Sequence, residues 1–270
     1  MATSPDRSYR HAYIDLLKRT ITNYAYLGAE RAFENFRCVS HYDLAAAEWN
    51  IDALSRPLTL LTKAQLDLIE DAVAIIARQR VPGDFIEAGV WRGGVIVLMR
   101  ALLDAYNLEG RRVFAADSFA GIPKNVRATN DPVDQWGDRW AASLEEVQRN
   151  IARVGVLDER ILFLPGFFAD TLHHLAKERF ALIRLDSDSY DSVETSLEYL
   201  YPLLSKGGVL FIDDWHLPGC RMAVEDYRQR FGIADPVRVH EGNAFWIKQQ
   251  GYGFPRMSQT AAMEASNGPA

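Results

Sequence analysis

The segment Asp84-Phe85-Ile86-Glu87-Ala88-Gly89-Val90-Trp91-Arg92-Gly93-Gly94 is an apolar run that breaks into glycines. Its first five residues, DFIEA (84–88), have strand character, and an apolar stretch at helical spacing, Val95 to Tyr106, follows. Strand, glycine turn and helix in that order make the first unit of an alternating α/β chain. Glycines at such a turn let the backbone pass close to a ligand, and the next helix points free N–H groups at it. The spacing from Gly89 to Gly93 is G-x-x-x-G, not the G-x-G-x-x-G of dinucleotide binders. Taken alone, it fits a methionine-bearing nucleoside, which has no pyrophosphate, or an ordinary glycine-rich turn.

Outward from this unit the alternation continues. Further strand-like runs are RVFAAD (112–117), ILFLP (161–165), ALIRLD (181–186) and GGVLFID (207–213). Between them, helical spacing covers Leu144 to Val154, Val193 to Leu204 and Cys220 to Phe231. Two more helices, Ala12 to Tyr26 and Lys63 to Arg80, precede the first strand. Two late strands, 237–241 and 243–248, are joined at Gly242 and Asn243 and must run antiparallel. The pattern predicts an α/β fold with a mostly parallel, doubly wound sheet, a C-terminal antiparallel hairpin and N-terminal helices. It divides the chain into a helical extension (1–80), an α/β domain (81–248) and a flexible tail (249–270). The first ten or so residues also read as loosely ordered ends.

Ligands of such sheets sit beyond the carboxyl ends of the strands, and chemistry-bearing residues cluster there. The second strand ends in Asp117-Ser118. Asp117 lies 24 residues after Gly93, near the roughly 20-residue interval of a ribose-binding acid; a turn cap is the plainer alternative. The fourth strand ends in Asp186-Ser187-Asp188 and the fifth in Asp213-Asp214. Four acids at one end of a sheet repel one another unless a cation compensates. Hard carboxylate oxygens without cysteine suit Mg²⁺, Mn²⁺ or Ca²⁺. An EF-hand starting at Asp186 is excluded, because Tyr190, Asp191 and Leu197 stand where an acid or Asn, Gly and Glu are required. Asp191 or Ser192 reads instead as a cap for the following helix. His216 adjoins the acidic pair, either lining the site or serving the structure. The polar stretch 124–140 is long enough to be a lid, with Trp136 and Trp140 packing on a substrate or anchoring the loop.

Composition narrows the classes. The chain has 270 residues, 48% of them hydrophobic, with 30 basic and 36 acidic residues and a net charge of -6. That balance argues against nucleic-acid and anionic-membrane partners. The two cysteines, Cys38 and Cys220, lack metal or redox spacing, and no apolar stretch reaches membrane-spanning length. A soluble, cytoplasmic protein is expected. Nucleophile-elbow, Walker A, H-E-x-x-H and C-x-x-C motifs are missing.

The stretches PGDFIEAGVWRGG (82–94), ADSFAGIPK (116–124), LDERILFLPGFFADTL (157–172), RLDSDSYDS (184–192), YPLLSKGGVLFIDDW (201–215) and NAFWIK (243–248) together resemble the macrocin O-methyltransferase family. Its members methylate sugar hydroxyls on glycosylated natural products, including antibiotics. The resemblance implies a Rossmann-like class I methyltransferase fold, S-adenosylmethionine as methyl donor, Mg²⁺ or another hard divalent cation, and a small sugar-bearing acceptor. It implies Asp186, Asp213 and Asp214 as metal ligands and Asp188 as general base. It places Glu87, Gly89 and Gly93 at the methionine portion of the cofactor, Asp117 and Ser118 at the ribose, and Phe168 with Ser143 at the adenine. Members are often homo-oligomers. The match is loose over 58–71 and poor over the first 55 or so residues, which shape the acceptor pocket in this family.

The same metal logic would serve a methyltransferase acting on a catechol or another vicinal diol, although Asp188 stands where such enzymes favour Lys. An NAD-dependent oxidoreductase lacks its glycine motif here. A non-catalytic binding protein would leave four carboxylates together without a use.

Overall fold

A computed structural model of the chain describes residues 5–25, 57–124, 133 and 140–249. Strands β1 (Asp84–Ala88), β2 (Val113–Asp117), β3 (Ile161–Pro165), β4 (Phe180–Leu185), β5 (Leu204–Ile212), β6 (Arg238–His240) and β7 (Asn243–Ile247) form one sheet in the order β3-β2-β1-β4-β5-β7-β6. The first five are mutually parallel. β7 runs antiparallel to both β5 and β6. The chain winds outward from β1 through β2 to β3, then returns to lay β4 on the other side of β1. The crevice of a doubly wound sheet opens at such a reversal.

Successive side chains of a strand point to opposite faces, and here both faces are apolar. Phe85, Leu182, Val209 and Phe211 enter one core cluster, with α1 (Pro5–Ile21), α2 (Lys63–Gln79), α3 (Gly94–Ala105) and α4 (Leu144–Val154). Their neighbours Ile86, Ile183, Leu210 and Ile212 enter the other, with α5 (Tyr190–Leu200) and α6 (Pro218–Phe231). Burial of each large apolar side chain is worth about 1.5–3 kcal/mol. α2 starts in a capping box, with Thr62 and Gln65 satisfying each other's backbone N–H groups, and it stops at Arg80 in a left-handed conformation (φ 53°). Its Leu66, Ile69, Val73 and Ile76 face the core at helical spacing.

Several boundaries differ from the sequence reading. α1 begins at Pro5, not near residue 12, so residues 5–10 are helical. The cap of α5 is Ser189, whose hydroxyl accepts from the Ser192 N–H; Asp191 lies in the first turn, where a negative charge meets the helix dipole. α5 ends at Leu200, followed by a 3-10 turn at Tyr201–Leu203, and β5 already starts at Leu204. The β6–β7 connection turns on Glu241 (φ 47°) and Gly242 (φ 81°), the positive pair of a type I′ hairpin. Cys220 is buried and free. Cys38, Trp136 and the tail beyond Gln249 lie outside the described residues. Among the described residues no helix is long and apolar enough to cross a membrane.

Register carries the strand ends into one row. Glu87 pairs with Arg184, Ala88 with Leu185, and Leu185 with Ile212. The Asp186 N–H then donates to the Ala88 carbonyl (2.8 Å) and the Asp213 N–H to the Leu185 carbonyl (2.9 Å). Gly89 sits in this row at φ 93°, and a Cβ there would lie 1.7 Å from the Asp186 carbonyl oxygen. Gly110, at φ 77°, has nothing within 4 Å of the same position. Gly110→Ala carries only the backbone penalty of about 1–2 kcal/mol. Gly89→Ala adds a backbone overlap that forces β1 and β4 apart. Thermal unfolding should show a Tm lowered by about 2–8 °C for Gly110→Ala and by 10 °C or more for Gly89→Ala, scaling roughly as 2–4 °C per kcal/mol. Equal shifts in the two variants would show that the close β1–β4 approach is relaxed without penalty.

Candidate active site

A cleft of about 730 Å³ opens along the row of strand ends. Of the residues expected at a site, Glu87, Gly89, Asp117, Ser118, Phe168, Asp186, Asp188, Asp213 and Asp214 all line it. Gly93 and Ser143 are not among its lining residues. Gly93 opens α3 at φ 90°, and a Cβ there would crowd Val147 (3.1 Å) and Ile151 (3.2 Å) of α4. Ser143 caps α4 by accepting from the Glu146 N–H. Both therefore shape the packing of α3 on α4 behind the cleft.

Asp117 binds the glycine turn. Its Oδ2 accepts from the N–H groups of Val90 (2.6 Å) and Trp91 (3.2 Å), and its Oδ1 from that of Phe119 (2.8 Å). Burial pushes its carboxyl up, while those three backbone donors oppose the shift. Ser118 closes the next turn, donating to the Gly121 carbonyl and accepting from the Ala120 N–H. Trp91 holds a left-handed backbone (φ 45°), rare for a bulky residue, and its ring meets Trp140 edge-on at 6.0 Å. Trp91 and Trp140 both line the cleft.

The acids converge around a buried guanidinium. Arg184 is 2% exposed and Glu87 1%. One Arg184 Nη1 donates to Glu87 Oε1 and to Asp186 Oδ2 (3.0 Å). Its Nη2 stands 2.8 Å from Asp213 Oδ1, at ion-pair distance but without the alignment of a hydrogen bond. Burial pushes Glu87 up to about 8 against the pull of Arg184. It pushes Asp213 up to about 7, with Arg184 opposing and Asp186 adding to the shift. Asp188 and Asp214 lie well above the usual carboxylate range, first through burial and then through neighbouring carboxylates. Burial works against the Arg184 charge, but Asp213, Asp186 and Glu87 outweigh it and hold the group firmly protonated.

Oxygens of Asp186, Asp188 and Asp214 lie within 4.8 Å of one another. Asp213, expected among the ligands, stands outside that close group and faces Arg184, while still lining the same cleft. Asp188 occupies a left-handed backbone position (φ 55°). Asp214 Oδ2 is buried and has no hydrogen-bond partner. A hard divalent ion with oxygens at about 2.1 Å holds its ligand oxygens roughly 3–4 Å apart. The cup therefore suits such an ion in donor type and in its unpartnered buried oxygen, and its carboxylates would draw slightly closer around it.

Sequence reasoning overlooked Arg184, which reads as a stray charge in a strand. It also overlooked the far wall. Glu241 at the hairpin tip takes the Thr62 hydroxyl, and its carbonyl accepts from Gln65 Nε2 (2.9 Å), locking the hairpin to the start of α2. Asn243 donates to the Asp213 carbonyl (2.8 Å). His216, placed beside the acidic pair from sequence, lines the cleft and is exposed.

Comparison with known proteins supplies the chemistry. The macrocin-O-methyltransferase family matches residues 10–249, reaching well before the first of the resembling stretches at residue 82. A Streptomyces olivaceus enzyme, 8-demethyl-8-(2,3-dimethoxy-alpha-L-rhamnosyl)-tetracenomycin-C 4'-O-methyltransferase, is 40% identical over 88% of this chain and 92% of its own length. The Micromonospora griseorubida mycinamicin III 3''-O-methyltransferase is 38% identical over 87% of this chain and 95% of its own. The structure of the O-methyltransferase NovP superposes with a TM-score of 0.77 at 32% identity, covering 89% of this chain and all (100%) of that one. The chain belongs to the macrocin-O-methyltransferase family and is an O-methyltransferase.

Proposed function

We propose that this enzyme moves a methyl group from S-adenosylmethionine to a hydroxyl of a sugar carried by an antibiotic-type natural product, with a hard divalent cation, Mg²⁺, in the acid cup. One observation carries this reading: the cup of Asp186, Asp188 and Asp214, with Asp213 beside it, opens on the same cleft as Glu87, Gly89 and Asp117. A methyl donor at one end and a hydroxyl held at the other are what an in-line transfer needs. The rhamnosyl group named for the tetracenomycin relative supports a sugar acceptor.

Within this reading, Glu87 and Gly89 take the methionine portion. Glu87 Oε2 is buried without a partner, which suits an ammonium donor. Asp117, steadied by three backbone donors, faces the ribose with its remaining lone pairs, beside Ser118. Phe168 provides an apolar surface for the adenine; Gly93 and Ser143 act through the packing of α3 and α4. Asp186, Asp213 and Asp214 hold the cation, which when bound orients the acceptor hydroxyl and lowers its pKa. Asp188 takes the proton. It lines the same cleft beside Asp186 and Asp214, the geometry a base for a hydroxyl held there requires.

A second reading of the third ligand has its own support. Asp188 lies in the close group with Asp186 and Asp214, and Asp213 faces Arg184. Calorimetry separates the two. If Asp188 is the base, Asp188→Ala binds Mg²⁺ within about threefold of wild type, and turnover falls by roughly 10²–10⁴. Asp213→Ala then loses its response to added metal. If Asp188→Ala cannot bind Mg²⁺ while Asp213→Ala can, the ligand set is Asp186, Asp188 and Asp214.

The activity itself is tested by mass spectrometry, with the enzyme, S-adenosylmethionine, Mg²⁺ and a panel of deoxysugar-bearing natural products. The expected product is heavier by one methylene on the sugar. It should disappear with EDTA and return with excess Mg²⁺. Transfer unaffected by the chelator would remove the cation from the reading.

A further inference from the structure

Arg184 touches carboxylates on both sides of the site. Toward the glycine turn it donates to Glu87, a residue of the cleft lining whose second oxygen is buried and lacks a hydrogen-bond partner. Toward the acid cup the same guanidinium reaches Asp186 and Asp213. The three carboxylates come from β1, the end of β4 and the end of β5, and they meet at this cation because the strands are in register there. A guanidinium is planar, with five donors in a fixed fork, so it moves as a unit, and loosening it on one side lets it close on the carboxylates of the other.

We propose that Arg184 couples the cofactor pocket to the acid cup, so that a cofactor ammonium placed on Glu87 weakens the grip of Asp186 and Asp213 on a divalent cation. This inference rests on the reading of Glu87 as the seat of the cofactor's amino-acid end. The ammonium competes with Arg184 for Glu87. Arg184 then gives more of its charge and hydrogen bonding to Asp186 and Asp213, which have less left for a metal ion. Linkage makes the effect reciprocal: the metal weakens binding of the amino-acid end by the same factor.

The test is calorimetric and needs no turnover. Mg²⁺ is titrated into the whole protein alone, with saturating S-adenosylhomocysteine, and with saturating 5′-methylthioadenosine, which keeps the nucleoside but lacks the amino-acid end. S-adenosylhomocysteine should raise the Mg²⁺ Kd at least threefold, and 5′-methylthioadenosine should leave it within error. The reverse titration of S-adenosylhomocysteine, with and without Mg²⁺, should give the same factor. In Arg184→Lys, which keeps the charge but loses the fork, the factor should fall to one. If that variant does not fold, Glu87→Gln should bind S-adenosylhomocysteine more weakly and show no coupling. A factor of one in the wild type, a tightening, equal effects of the two nucleosides, or a factor retained in the variant that folds would overturn the coupling. Failure of S-adenosylhomocysteine to bind at all would instead overturn the cofactor reading beneath it.

Discussion

Too many carboxylates meet too few cations at the carboxyl ends of β1, β4 and β5. Glu87, Asp186, Asp188, Asp213 and Asp214 share one cleft wall, and Arg184 is the buried cation set among them. Desolvated acids in such numbers rise in pKa or take up positive charge, and the values for Glu87, Asp213, Asp188 and Asp214 move in that direction. A structural role alone does not account for the cluster, because buried ion pairs are seldom better for stability than apolar packing. The arrangement agrees with the proposed receptor for cations, a metal in the cup and the ammonium and sulfonium of a methyl donor beside it.

The rest of the fold serves that convergence. Two apolar layers hold the sheet rigid, so the row from Gly89 through Asp186 to Asp213 is set by backbone hydrogen bonds and not by flexible side chains. Gly89 permits the close approach of β1 to β4. The late hairpin adds two strands beyond β5 and folds its tip back onto the capped start of α2. Through that contact the start of α2 and the segment before it, from Leu58 to Gln65, become a wall of the cleft. The family match reaching back to residue 10 agrees with the N-terminal helices being integral to the fold.

Much of this was legible in the sequence because the signals were local. DFIEA, ILFLP and the helix Leu144–Val154 have the predicted bounds, since apolar runs ended by Gly, Pro or a capping Ser are short-range features. Asp186, Asp188, Asp213 and Asp214 were visible as a cluster because each pair ends a strand, and ends of adjacent parallel strands are neighbours. What escaped notice depends on distant partners. Arg184 and Glu87 are 97 residues apart, and Glu241 and Thr62 are 179 apart. Nothing at either position alone announces such a pairing. Polar, charged residues at 5–10 hide the early start of α1, a helix that tertiary packing completes further along. Asp191 or Ser192 reads as the cap from sequence, because the stretch offers several capping side chains in a row and only the structure shows that Ser189 is the one used.

The most direct test of the central claim is anomalous diffraction from crystals grown with Mn²⁺ and S-adenosylhomocysteine. The account predicts one strong manganese peak bonded to Asp186 and Asp214, with Asp213 or Asp188 completing the set, and the nucleoside in the same cleft with its ammonium on Glu87. A cup without manganese at saturating metal, or a nucleoside bound away from Glu87 and Asp117, would contradict it.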